Sequence, residues 1–229
     1  MPARAGAVLE LPVGDLPVAV LVTTRRAGDL RPGSQGAAAR RQAVLPGEWS
    51  ALRQVHGASV RGCADSGSSG DALVGSPADR PAMFAADCAL VALVSPQGPV
   101  AAVHAGWQGL RAGVIEAAAA RLRSLGAREL VALRGPVIGP ECYEFGPELL
   151  DELCGRFGER LRATTSDGRP ALDLAAGVAV ALERAGAELV GEVDSCTACG
   201  REEDGSARWF SHRARRDAGR HALVVTTRR

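Results

Sequence analysis

Two apolar runs separated by a proline- and glycine-rich turn restrict this chain's fold more than anything else in it. Phe84 to Ser95 and Val100 to Gly109 are each of strand length, and no charged residue lies between Cys88 and His104. The intervening Ser95-Pro96-Gln97-Gly98-Pro99 is turn chemistry, so the pair predicts a β-hairpin. Each run also carries one candidate metal ligand, Cys88 in the first and His104 in the second. A third, His56, lies upstream in Leu52-Arg53-Gln54-Val55-His56-Gly57.

Elsewhere the pattern predicts strands at Ala7 to Val13 and Val18 to Thr24, with a short helix from Ala37 to Leu45 closed by Pro46-Gly47. It predicts a further strand from Leu52 to Val60 around His56. Gly62 to Gly70 reads as a flexible connector, and Asp71 to Val74 as an apolar edge. The alanine-rich, proline-free stretch Leu110 to Leu125 predicts a helix stopped by Gly126. Helices at Pro147 to Phe157 and Leu174 to Ala185, the second opened by Asp173 as N-cap, complete the helical content. Late strands fall at Glu129 to Arg134, Leu189 to Val193 and His221 to Thr226. Strands and helices neither alternate strictly nor segregate, which points to an α+β fold with a mixed sheet or sheets. At 229 residues and 46% hydrophobic, the chain predicts one domain spanning 1–229.

Every one of the 27 basic residues is arginine, and asparagine is also absent. A Schiff-base lysine, a P-loop lysine and a Cys-His-Asn triad are thereby excluded. A net charge of +1 and 3% aromatic residues give no case for nucleic acid. No apolar stretch approaches the ~20 residues of a membrane span. The N-terminal segment lacks the apolar core of a signal peptide, so a cytoplasmic protein with mostly reduced cysteines is expected.

One thiolate and two imidazoles, His56, Cys88 and His104, form a plausible three-ligand zinc set with a fourth position open, and copper is the alternative ion. The same atoms also suit a cysteine hydrolase in which His104 activates Cys88 and Asp87 or Asp71 orients the imidazole. Arg53 and Arg213 are candidate anion anchors, since a guanidinium grips phosphate in bidentate fashion. Asp71 and Asp87 are candidate proton carriers or partners of a ligating imidazole. Cys196-Thr197-Ala198-Cys199 is a lone C-x-x-C, readable as a dithiol, half of a metal site, or two partly buried thiols.

A set of ordered motifs resembles the family of laccase-domain, or multicopper polyphenol oxidase-like, proteins, also called peptidoglycan editing factors and associated with purine nucleoside phosphorylase activity. The matching pieces are Arg53 to Gly57, Asp71 to Val74, Ala86 to Cys88, Ala102 to Trp107, Gly135 to Gly146, Leu172 to Leu174, Cys196-Thr197, and Trp209 to Arg213 with Gly219-Arg220. The resemblance implies sheets sandwiched between helices in α/β/β/α layers, and zinc at His56, Cys88 and His104. It further implies phosphorolysis of adenosine, inosine, guanosine and methylthioadenosine with inorganic phosphate, and deamination of adenosine. A monomer or weak homodimer is expected. Laccase chemistry itself fits poorly, because copper centres of that kind require many histidines and the chain has four. Two departures stand out. Arg25 to Leu30 replaces the family's early R-x-G-G-x-S, and Gln108 replaces the usual arginine after Gly-Trp. The first favours the alternative of a degenerate, non-catalytic nucleoside-binding protein.

Overall fold

The computed structural model describes residues 8–228, so Ala7 lies outside the described residues. The chain opens with β1 (Val8–Pro12) and β2 (Val18–Thr23), an antiparallel pair, followed by α1 (Ala37–Val44). Next come β3 (Ser50–Ala51), β4 (Val60–Gly62), β5 (Ala72–Gly75), β6 (Pro81–Ala85), β7 (Ala89–Val94) and β8 (Val100–Ala105). Then follow α2 (Trp107–Ala112), α3 (Val114–Ser124), β9 (Val131–Arg134), α4 (Pro147–Phe157), β10 (Arg162–Thr164) and β11 (Pro170–Leu172). The chain finishes with α5 (Leu174–Arg184), β12 (Glu188–Glu192), α6 (His212–Arg215) and β13 (His221–Thr227).

Two mixed sheets carry the architecture, ordered β1-β2-β13-β6-β3 and β12-β9-β7-β8-β5-β4. Side chains on alternate faces of each strand explain how they stack. In β7, Leu90, Ala92 and Val94 meet Val20, Val22, Met83, Leu223 and Val225 of the other sheet. Its remaining residues, Ala89, Val91 and Leu93, meet Leu110, Ile115, Leu122 and Val178 of α2, α3 and α5. Covered on both faces, β7 reads as an unbroken apolar run. On the far side, Ala82, Phe84, Ala222 and Val224 pack under Leu45, Trp49 and Leu30 beside α1. The layers are therefore helix, sheet, sheet, helices, the α+β arrangement expected.

The hairpin forms as β7 and β8, with Ala89 opposite Ala105 and Leu90 opposite His104. Its first run, however, is two strands in different sheets. Pro81–Ala85 pairs with β13, and Ala86 to Cys88 turns the corner into β7. Asp87 makes that corner at φ 105°, a backbone shape most residues avoid. The predicted helix from Leu110 to Leu125 is also two helices, because Gly113 at φ 84° interrupts it and closes α2. Helix α4 matches its predicted bounds, and the Asp173 side chain caps α5 by accepting from the Ala176 N–H at 2.8 Å. The β10–β11 ribbon was not anticipated.

The strand expected from Leu52 to Val60 does not form: only Ser50–Ala51 and Val60–Gly62 are extended in sheets, and His56 sits at φ 59°. The cause is hydrogen bonding to residues well downstream in the sequence, which competes with strand pairing. Gln54 clamps the Phe84 backbone, donating from Nε2 to the carbonyl at 2.7 Å and accepting from the N–H at 2.9 Å. Asp71 draws in the next three amides, Val55, His56 and Gly57, at 3.2, 2.9 and 2.7 Å. No helix among the described residues is long and apolar enough to cross a membrane.

Candidate functional site

Hairpin register places the first two candidate ligands. Ala89 faces Ala105, so Cys88 comes level with Gly106 at the end of the sheet, and a Cβ at position 106 would lie 2.8 Å from Cys88 Sγ. Glycine there leaves room for the thiol. His104, in β8 two residues before Gly106, faces the same side of the sheet, and the turn held by Asp71 brings His56 over both. The ligand atoms of the three residues lie within 4.8 Å of one another, and the two imidazoles meet edge to face with centroids 4.8 Å apart.

Asp71 is wholly buried and works entirely as an acceptor. Besides the three amides, its Oδ1 lies 2.9 Å from His104 Nδ1. A carboxylate beside Nδ1 holds the proton there and leaves Nε2 free to bind a metal or face a thiol. Burial pushes the Asp71 carboxyl up, but His104 and the Gly57 and His56 amides together hold it below the usual range. Asp87 is engaged similarly: Oδ1 accepts from the Thr197 hydroxyl at 2.7 Å, and Oδ2 from the Arg213 N–H at 2.7 Å.

Cys88 and His104 shift each other in opposite directions. Burial disfavours the thiolate, yet the charge and hydrogen bonds of His104 and His56 bring Cys88 down to about 6. Burial likewise disfavours the imidazolium, and the Cys88 charge with the Asp71 hydrogen bond lifts His104 to about 9. In metal-free protein the pair is a thiolate and an imidazolium between those values, titrating as a couple. Alkylation of Cys88 by iodoacetamide in metal-free protein is therefore expected to rise through about pH 6 and level off by neutral pH. A profile centred at an ordinary thiol value near ~8.5 would contradict the coupling.

One thiolate and two imidazoles, one of them already oriented by a carboxylate, fit a borderline-soft divalent metal ion. The three donors sit in a cleft of about 900 Å³ that Arg53, Arg213, Asp87 and Gln108 also line. Arg53 donates from Nε and Nη2 to Ser69 Oγ at 3.0 and 2.6 Å. Arg213 donates from Nη1 to the Glu144 carbonyl at 2.9 Å and lies 4.7 Å over the Tyr143 ring. The structure thus gathers His56, Cys88, His104, Asp87, Arg53 and Arg213 in one cleft, with the Asp71 side chain supporting it from behind and the C-x-x-C lying outside it.

Several cleft residues had no assigned role in the sequence. Tyr143, Trp107 and Arg220 lie inside recognisable motifs, whereas Arg31 and Arg41 come from a loop and a helix with no motif at all. Trp107 and Tyr143 both pack edge-on against Phe145, with centroids 5.6 and 5.7 Å away. Arg220 donates to the carbonyls of Asp217, Ala218 and Gly219. Burial and the nearby charge of Arg31 push its guanidinium below the usual arginine value.

A family model described as multi-copper polyphenol oxidoreductase laccase matches residues 33–228. A purine nucleoside phosphorylase of Streptomyces coelicolor is 37% identical over 208 residues, covering 82% of this chain and 78% of the relative. A purine nucleoside phosphorylase of Streptomyces griseus is 34% identical over 230 residues, covering 93% and 83%. The crystal structure of the Bacillus licheniformis hypothetical protein YfiH gives a TM-score of 0.83 over 98% of each chain. At 20% identity that is a likeness of fold alone.

Proposed function

Because this chain belongs to the multi-copper polyphenol oxidoreductase laccase family, we propose that it is a zinc-dependent purine nucleoside phosphorylase. Its substrates are adenosine, inosine, guanosine and methylthioadenosine with inorganic phosphate, and it deaminates adenosine as a second activity. The observation that carries this reading is the convergence of His56, Cys88 and His104 in an arginine-lined cleft. When bound, Zn²⁺ supplies Lewis-acid polarisation and lowers the pKa of water at its open position.

The chain's own residues do the rest. Arg53 and Arg213 hold phosphate near the anomeric carbon, with Arg31 and Arg220 adding positive charge that an anion relieves. Tyr143 and Trp107 offer aromatic surface to the purine. Asp71 fixes the His104 tautomer, and Asp87 fixes the backbone of Arg213 and the Thr197 hydroxyl; both act as orienters. Hydrogen phosphate attacks the anomeric carbon as the bond to the purine breaks, and the proton it gives up on forming ribose 1-phosphate goes to the departing purine nitrogen. Copper oxidase chemistry is disfavoured by the histidine supply, since His221 is buried edge-on against Trp209 in the core rather than in the cleft.

The mutual shift of Cys88 and His104 favours one second reading, a cysteine hydrolase. Two outcomes separate them. Zinc-loaded protein given adenosine and phosphate is expected to release adenine and ribose 1-phosphate, and to form inosine when phosphate is omitted. Absence of all these products with zinc bound overturns the phosphorylase reading, and activity that survives a chelator while falling on alkylation favours the hydrolase.

A further inference from the structure

The C-x-x-C, unused by the chemistry above, has partners. Cys196 to Cys199 form a turn after β12, and Glu141 and Cys142 lie in a turn after β9. The two segments come together through a parallel bridge between Val137 and Cys196, with the Thr197 N–H donating to the Val137 carbonyl at 3.1 Å. As a result, Sγ of Cys142, Cys196 and Cys199 and a carboxylate oxygen of Glu141 all lie within 4.8 Å of one another. A tetrahedron of thiolates around zinc, at Zn–S ~2.3 Å, has edges of about 3.8 Å, so only slight closure is needed.

Details of the turn suit coordination. The Gly139 N–H donates to Cys196 Sγ at 3.1 Å, and Cys199 Sγ donates to Glu141 Oε1 at 3.2 Å. Gly200 closes the turn by donating to the Cys196 carbonyl at 2.9 Å, and a Cβ there would lie 2.5 Å from that oxygen. The sequence is thus C-x-x-C-G because the backbone folds back on itself after the second cysteine. All six cysteines are free thiols, and Cys199 is exposed, giving an ion a route in.

We propose that Cys142, Cys196, Cys199 and Glu141 form a second, structural site for a borderline-soft divalent cation, zinc foremost, separate from His56, Cys88 and His104. Three thiolates and one carboxylate fill a tetrahedron and leave no open position, as structural sites require. The ion ties together two turns that serve the cleft. One carries Thr197, whose hydroxyl holds Asp87, and the other carries Tyr143, next to Cys142.

The test is metal content of full-length protein purified with zinc and without chelator, for wild type, Cys199→Ser, Cys142→Ser and Cys88→Ala. Two equivalents are expected in wild type and one in each variant. Cobalt-loaded Cys88→Ala should keep the intense thiolate-to-cobalt absorption of a three-sulfur site, and cobalt-loaded Cys199→Ser should keep only the weaker band of a one-sulfur site. Because Cys199 is exposed, its serine variant should fold; the cobalt spectrum of Cys88→Ala decides the matter if it does not. Unchanged metal content in Cys199→Ser, no metal in Cys88→Ala, or a Cys196–Cys199 disulfide in freshly purified protein would each overturn the proposal. Failure of the His56, Cys88 and His104 site looks different: one equivalent in wild type and Cys88→Ala, and none in Cys199→Ser.

Discussion

Cys88→Ala is expected to lower phosphorolysis of adenosine by about 10³-fold while leaving the fold intact. Removing the single sulfur donor leaves two imidazoles, one of them on an exposed turn, too few to hold an ion with an open position. Metal-derived stabilisation of a transition state amounts to several kcal/mol, and each ~1.36 kcal/mol is tenfold in rate. Cys88 sits partly buried at the corner before β7, against the core between the sheets, and alanine removes only one sulfur atom from that packing. Steady-state kinetics with metal analysis check this. Activity within about threefold of wild type would remove Cys88 from the chemistry.

Asp71→Asn is expected to be the most destabilising single change near the cleft, at roughly 3–5 kcal/mol. The carboxylate is wholly buried and serves the amides of Val55, His56 and Gly57 and the His104 ring together. An asparagine side chain has one acceptor oxygen in place of two, and its amide hydrogens face donors. Loosening the turn also releases His56, so metal affinity should fall about 10–100-fold, as for other partners of ligating histidines. Urea unfolding and metal titration measure the two effects separately. A loss below about 1 kcal/mol with unchanged affinity would mean that the turn holds itself.

Much of the architecture was legible because it rests on local pattern. The apolar runs either side of Ser95 to Pro99 fixed a hairpin, the Asp173 cap opened α5, and Pro147 opened α4. Misreadings arose where residues far apart in sequence decide the backbone. Leu52 to Val60 has the composition of a strand, but the carboxylate that bends it lies at Asp71 and the clamp on Gln54 lies at Phe84. Phe84 to Ser95 looks like one run because both of its strands are buried, and the Asp87 corner between them is held by Thr197 and Arg213, more than a hundred residues later. The candidate ligands His56, Cys88 and His104 could be named from the sequence, mainly through the resemblance. Arg31 and Arg41 could not, since nothing local marks a surface arginine as one that faces a cleft. Cys142 likewise gave no sign that it would join a C-x-x-C more than fifty residues later.

The most direct measurement of the central claim is ribose 1-phosphate formation from adenosine and phosphate while metal-stripped protein is titrated with Zn²⁺. Wild type and Cys199→Ser should be compared, because the second keeps only the His56, Cys88 and His104 site. Both are predicted to be inactive before zinc is added, and in Cys199→Ser turnover should rise in step with the first bound equivalent. Undiminished phosphorolysis in the metal-free protein would contradict the account.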